Sequence, residues 1–169
     1  MGGKLGECKM ALPQEVRQNF LALVESGNIR YTAYPIGAGI AIVSDGMAAA
    51  WDYPAANLHI QIQAAALLPA DPCWFVGVVI LANDLEAACY ADLAIGFGND
   101  GAGIDRAEFP FFNDVAAGAG ITQTKFACFL PYPIRVAGNP RVSGRIRKSS
   151  AASGVGLTPK VLIATAVGA

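Results

Sequence analysis

Residues Gly96 to Gly101 spell GFGNDG, the G-x-G-x-x-G spacing in which main-chain N–H groups can approach a pyrophosphate. That chemistry needs a helix whose N-terminus faces the phosphates, set inside a strand–helix–strand unit. Pro110 arrives nine residues after Gly101, and the intervening AGIDRAEF is too short and too irregular in its apolar spacing to be that helix. The segment therefore reads as a loop joining two strands, and no cofactor is expected. His59 is the only histidine, and Ser44-Asp45 is the adjacent serine–acid pair weighed with it. A nucleophile elbow, G-x-S-x-G, is missing, because Ser153-Gly154 lacks the glycine two positions earlier. His59 reads as a polar-face strand residue, and the chain as no enzyme.

Metal chemistry fares no better. Gly98-Asn99-Asp100-Gly101 matches one copy of a calcium-binding nonapeptide, a motif that works only in stacked copies; a single calcium held by Asp100, Asp105 and Glu108 is the remaining metal reading. Cys8, Cys73, Cys89 and Cys128 form no C-x-x-C pair and have no histidine cluster beside them, so their spacing supplies no zinc site. Cys73, Cys89 and Cys128 sit among apolar neighbours and read as buried thiols. Cys8 is the one suited to pairing between chains.

Charge is more informative. Six of the 12 Lys and Arg lie between Lys125 and Lys148, while the net charge of the chain is only -1. A nucleic-acid-binding domain is usually basic overall, so a local basic face points instead to a carboxylate-bearing protein. Arg141, Arg145, Arg147 and Lys148, together with Tyr132, are the candidate partner-binding residues. Each arginine has a plain alternative role, a charged sheet edge that discourages aggregation. Trp51, Tyr53, Trp74 and Tyr132 offer an aromatic platform for sugar, set against the ordinary use of such rings in a core or subunit interface.

The elements that must position these groups are short. Pro13 to Gly27 carries Val16, Phe20, Leu23 and Val24 near one face, opens with proline and ends in glycine, and predicts a helix. Ile29 to Tyr34 and Gly39 to Ser44 read as strands, the second ending at a hairpin turn, Asp45-Gly46. Leu58 to Gln63 alternates strictly, with Leu58, Ile60 and Ile62 on one face and His59, Gln61 and Gln63 on the other. Trp74 to Ala82 is an unbroken apolar run, as expected of a strand buried on both faces. Ala88 to Ile95 is a further strand, followed by a glycine-rich loop reaching Phe112, and Pro159 to Val167 is the last strand. Between them Phe126 to Ser150 reads as a hairpin: a strand with Pro131 and Pro133 marking an edge, a turn at Gly138-Asn139-Pro140, and a basic strand with a bulge at Gly144 that re-aims the arginines.

Helices long enough to connect parallel strands are missing, so an antiparallel β-sandwich is favoured. Two segments result: residues 1-28 as an arm or short helix, and residues 29-169 as the sandwich domain. The 169 residues suffice for one core without staples. With 54% apolar and only 15% charged residues, part of the surface is expected to be covered by partners. Leu67 to Ala82 is interrupted by Pro69, Asp71 and Pro72 and so does not read as a membrane span, and the start of the chain does not read as a secretion signal. The expectation is a soluble, cytosolic product that binds neither membrane nor nucleic acid.

From Trp74 to Ala169 the order of elements resembles that of small virion proteins of tailed bacteriophages. The most specific part is Leu130-Pro131-Tyr132-Pro133-Ile134-Arg135-Val136-Ala137-Gly138-Asn139-Pro140-Arg141-Val142-Ser143-Gly144-Arg145-Ile146-Arg147-Lys148-Ser149-Ser150. Residues Met1 to Pro72 depart from that pattern. The resemblance implies a sandwich of jelly-roll type and a non-enzymatic decoration or cement protein on the capsid, with a tail, neck or fibre component as the nearest alternative. It further implies a homo-oligomer, most simply a trimer, that contacts the major capsid protein or another virion protein. Its location would be the virion, assembled in the host cytoplasm.

Overall fold

The computed structural model describes residues 13–42, 60–64, 67–69, 73–83, 85, 89–98, 104–113, 126–136, 141–149 and 156–167. In chain order these form α1 (Pro13–Glu25), β1 (Ile29–Tyr34), β2 (Ile60–Gln63), β3 (Cys73–Asn83), β4 (Cys89–Gly98), β5 (Ile104–Asn113), β6 (Phe126–Val136), β7 (Arg141–Lys148) and β8 (Leu157–Ala166). The strands build two antiparallel sheets, β1-β8-β3-β6 and β2-β7-β4-β5. The first strand pairs with the eighth, the second with the seventh, the third with the sixth and the fourth with the fifth. That is an eight-strand hairpin rolled over on itself, the jelly roll, and the roll is closed by the additional pairs β3·β8 and β4·β7.

Rolling separates strands that are adjacent in sequence. Among the described strands only β4 and β5 are neighbours both in the chain and in a sheet. The expected hairpin over Phe126 to Ser150 is therefore incorrect: β6 lies in the first sheet against β3, and β7 in the second between β2 and β4. Pro131 and Pro133 do mark an edge, since β6 is the last strand of its sheet. The expected turn at Gly138-Asn139-Pro140 lies outside the described residues.

Most of the core fills the space between the sheets. Phe75, Val78 and Ile80 of β3 and Val161 and Ile163 of β8 meet Leu93, Ile95, Val142 and Ile146 of the other sheet. The Phe75 ring stands edge-on to Phe97, at 5.1 Å between centroids, and to Phe109, at 5.9 Å. Such geometry places the positive ring edge against a negative face, which adds about 1 kcal/mol per pair to the area term. A second, smaller cluster lies outside the first sheet, where Phe20 and Leu23 of α1 cover Trp74, Val76 and Ala164. The start of β3 is thus buried on both faces, as its unbroken apolar run predicts.

Other expectations need correction. Gly39 to Ser44 forms no strand among the described residues; Ile42 makes only an isolated bridge to Leu157. On β2, Gln63 is buried rather than exposed, because the register slips between Gln61 and Gln63 and turns the later residue inward. The stretch expected as loop up to Phe112 contains β5, which pairs with β4 from Ile104 to Asn113. Val24, expected on the packed face of the helix, is 40% exposed. Helix α1 ends in a Schellman cap, with Gly27 N–H donating to the Val24 carbonyl, Asn28 N–H to that of Leu23, and Gly27 at φ +71.

Gly144 is not a bulge. Strand β7 pairs without interruption with β4, Gly144 opposite Ile95, and the glycine leaves room for Ile42 and Ile62. At Gly77 the constraint is harder, since an added Cβ would strike the Cys128 carbonyl oxygen and lie 3.0 Å from Phe129 Cα. Main chain cannot rotate away as a side chain can. Gly77→Ala is therefore expected to destabilise the fold by roughly 3 kcal/mol, lowering Tm on the order of 10 °C in a thermal melt. Gly144→Ala, which meets Ile42 Cδ1 at 2.6 Å and Ile62 Cδ1 at 3.1 Å, should cost less than half of that, because both methyl ends can move.

Candidate functional site

The residues singled out from the sequence do not converge. Strand β7 alternates cleanly: Arg141, Ser143, Arg145 and Arg147 point away from the core, while Val142, Gly144, Ile146 and Lys148 point toward it. Lys148 is only 2% exposed, so it is not available to a partner surface. β7 is moreover an interior strand, which removes the edge-protecting role considered for its arginines. Tyr132 sits on β6, in the other sheet.

Arg147 is engaged within the chain. Its Nε donates to Asp92 Oδ2 at 3.0 Å, its NH2 group lies 3.0 Å from the same oxygen, and Glu108 Oε2 accepts from that NH2 at 3.4 Å. Register explains the cluster: Arg147 lies directly opposite Asp92, and Glu108 is one row along, opposite Ala94. Arg145 also faces Ala94, from the other side. Arg141 lies opposite Gly98, and its Nε is buried with no hydrogen-bond partner. Arg141 and Arg145 share the outward side of β7 with Arg147, and the Nε of each is buried.

A different surface stands out on the first sheet. Phe20 lies over Trp74, with centroids 6.1 Å apart, and anchors α1 to the sheet; Arg17 stands over the Tyr132 ring with 5.0 Å from its guanidinium carbon to the ring centroid. Opposite α1, β6 departs from β3. Ile134 pairs with Phe75 and Phe129 with Gly77, so four residues, Leu130 to Pro133, span the place of one, Val76. The two prolines fall in this hump, where no ladder bond is required of them.

Between hump and helix opens a cleft of about 560 Å³, lined by Arg17, Phe20 and Leu21 of α1, Tyr31 of β1, Val76, Leu162, and Phe129, Leu130, Pro131 and Pro133 of β6. Its walls are apolar apart from Arg17 and the Tyr31 hydroxyl. Around it Phe129 is 67% exposed, Tyr132 58%, Tyr31 54% and Leu21 42%. Apolar side chains grouped at that exposure form a contiguous patch rather than ordinary scatter. Sequence reasoning found Tyr132 but missed Phe129, Tyr31 and Leu21. The clue was present: Leu21 falls beside the helix's apolar face, and Phe129 directly precedes the proline-rich stretch.

The groups weighed for chemistry are placed as follows. Gly96, Phe97 and Gly98 belong to β4, and β5 follows from Ile104, so no helix starts in that stretch of described residues. Among the described residues no group of three His, Cys, Asp or Glu gathers to hold a metal ion. Ser44, Asp45, His59, Trp51, Tyr53, Asp100 and Cys8 lie outside the described residues. Trp74 is buried under α1 and is no sugar platform. A scan against protein-family models finds no match, and searches of curated proteins and of solved structures also find no match to this chain.

Cys73, Cys89 and Cys128 are free thiols. Burial pushes Cys73 from the ordinary 9.0 up to about 11. Burial also raises Cys89, an effect the Lys148 ammonium partly offsets, and it raises Cys128. A thiol held protonated is a poor nucleophile. At pH 8 the Cys73 thiolate population should be about a hundredfold below that of an ordinary cysteine, so iodoacetamide should label Cys73 at least about a hundredfold more slowly in native protein than in guanidinium. Peptide mass mapping of the labelled sites checks this. Fast native labelling of Cys73 would contradict the buried, neutral thiol.

Proposed function

We propose that this chain is a non-enzymatic structural protein of a tailed-bacteriophage particle, a decoration or cement protein that binds the assembled head shell. One observation carries the reading: the exposed aromatic and proline-rich ground of Phe129, Pro131 and Tyr132, next to Leu21 and Tyr31, borders one apolar cleft on the outer face of the first sheet. The jelly roll supplies a rigid support for it, and the Leu130 to Ser150 segment carries the resemblance to virion proteins.

The mechanism is mechanical. Apolar faces of the first sheet bury against the major capsid protein or another virion protein, and copies of the chain associate as a homo-oligomer, most simply a trimer. A partner that binds only the assembled shell stabilises that state by mass action, without any chemical step. Arg141 and Arg145 lie on the outward face of the second sheet, turned away from this contact, so any charge-assisted hydrogen bonds they make to a partner go to a different neighbour. The protein reaches its place in the virion during assembly in the host cytoplasm. Attachment at tail, neck or fibre would use the same face.

The test is occupancy on purified particles. Phe129→Glu places a charge in the docking face, and it should lower occupancy by about tenfold or more. Because Phe129 is 67% exposed, its loss should shift the melting free energy by no more than about 0.5 kcal/mol. Unchanged occupancy of the Phe129→Glu protein would remove the cleft from the assembly role.

A further inference from the structure

The outward face of the second sheet has a different chemistry. Tyr90 of β4 and Phe112 of β5 stand directly opposite each other, with ring centroids 4.8 Å apart, tilted at 53°. Tyr90 is 61% exposed and Phe112 55%, although both come from the regular ladder of the sheet. The main chain beneath Tyr90 is held in place: Ser149 N–H donates to the Tyr90 carbonyl, and Tyr90 N–H donates to Ser149 Oγ.

The next row along the strands, about 6.8 Å away, holds Pro110, Asp92 and Arg147. The row after that holds Glu108, Ala94 and Arg145. Ala94 between them is fully buried, so this row presents its charged neighbours rather than its centre. The Arg147 bonds to Asp92 and Glu108 fix these planar groups in orientation before any ligand arrives, while Glu108 remains 49% exposed. Asp92 and Glu108 balance Arg145 and Arg147 in formal charge.

We propose that this face binds a neutral glycan. The Tyr90 and Phe112 rings stack on the C–H face of one pyranose, and Glu108, Asp92 and Arg147 take hydroxyls of the same or the next sugar by hydrogen bonds. Stacked rings beside oriented planar polar groups are what a pyranose needs, since it offers apolar C–H faces and a rim of hydroxyls that both donate and accept. Two half-exposed rings give on the order of 200 Å² of apolar contact, far short of the roughly 800 Å² per partner of a standard protein interface. That area suits one or two sugars. Glu108, more exposed than Arg147 or Asp92, disfavours an anionic sugar at this face. The site lies on the opposite sheet from the apolar cleft, and it does not depend on the assembly reading.

Native gel electrophoresis through gels containing laminarin, yeast mannan, galactan or dextran tests the proposal on the full chain. The wild type should be retarded by at least one of these polymers. Tyr90→Leu and Phe112→Leu keep an apolar side chain but lose the flat ring, and each should weaken retardation by about tenfold. Glu108→Gln should weaken it by a smaller factor, whereas Phe129→Glu, on the opposite sheet, should leave it unchanged. Circular dichroism melts confirm that each variant is folded, and Glu108→Gln remains informative if a ring variant is not. No retardation by any of the four polymers would overturn the proposal, and so would retardation that survives both ring substitutions. Particle binding that is lost on Tyr90→Leu in a protein that binds none of the polymers would assign the face to a protein instead.

Discussion

The constraint on which the rest of this structure depends is that the first half of β3 has no solvent side. Phe75, Val78 and Ile80 point into the space between the sheets, and Trp74 and Val76 point the other way, under α1. An antiparallel sheet normally leaves one face wet, with alternating polar residues on that side. The run Trp74-Phe75-Val76-Gly77-Val78 offers no such alternation, so a layer must lie on each side of it. Fully burying a large apolar side chain contributes about 1.5–3 kcal/mol, while fixing one residue's backbone costs about 1–2 kcal/mol, so Trp74 and Val76 alone do not offset the ordering of α1, and the burial of Phe20 and Leu23 and the helix's own hydrogen bonds contribute as well.

Satisfying β3 has a consequence for β6. Gly77 lets β6 approach so closely that Cys128 and Phe129 occupy the space a Cβ would take, and immediately afterwards the chain swings out over Val76. The hump is where Pro131 and Pro133 can be accommodated, because a residue outside the ladder needs no N–H. Helix α1 covers the sheet at Trp74 and Ala164 but stops short of Phe129, which leaves the cleft between them. Among the described residues, the apolar opening on this face is thus a by-product of two features: close approach at Gly77 and a helix that covers Trp74 but not Phe129.

How much of this was legible in the sequence depends on how local the determinant is. The double burial of β3, the edge character of β6 and the start and stop of α1 follow from neighbouring residues: an apolar run, two prolines, a proline before and a glycine after the helix. Strand β5 was legible in principle, since Ala107, Phe109 and Phe111 alternate with Glu108, Pro110 and Phe112, but Pro110 and the preceding glycines masked the alternation. Pro110 is tolerated because β5 is an edge strand. The supposed hairpin at Phe126 to Ser150 failed for a deeper reason. Whether two successive strands pair or cross to opposite sheets is decided by partners far away in the chain, and no turn residue records it. Lys148 failed on parity: it is one residue further along than Arg147, which in a strand means the opposite face.

The two outward faces then differ because different things happen beneath them. On the first sheet, bulky residues of β3 force a covering layer that is incomplete, so its outer surface is apolar. On the second sheet the outward residues Ala94 and Ser143 are themselves buried, and one row carries the exposed rings of Tyr90 and Phe112 while the next carries the Arg147 ion pairs. The faces stand back to back across a core about 10 Å thick. A molecule seated on a shell through the apolar cleft would therefore present Tyr90, Phe112 and Glu108 to the surrounding solvent. Among the described residues the two sheets thus offer outward surfaces of different chemistry on opposite sides of one core, so a single ligand cannot engage both at once.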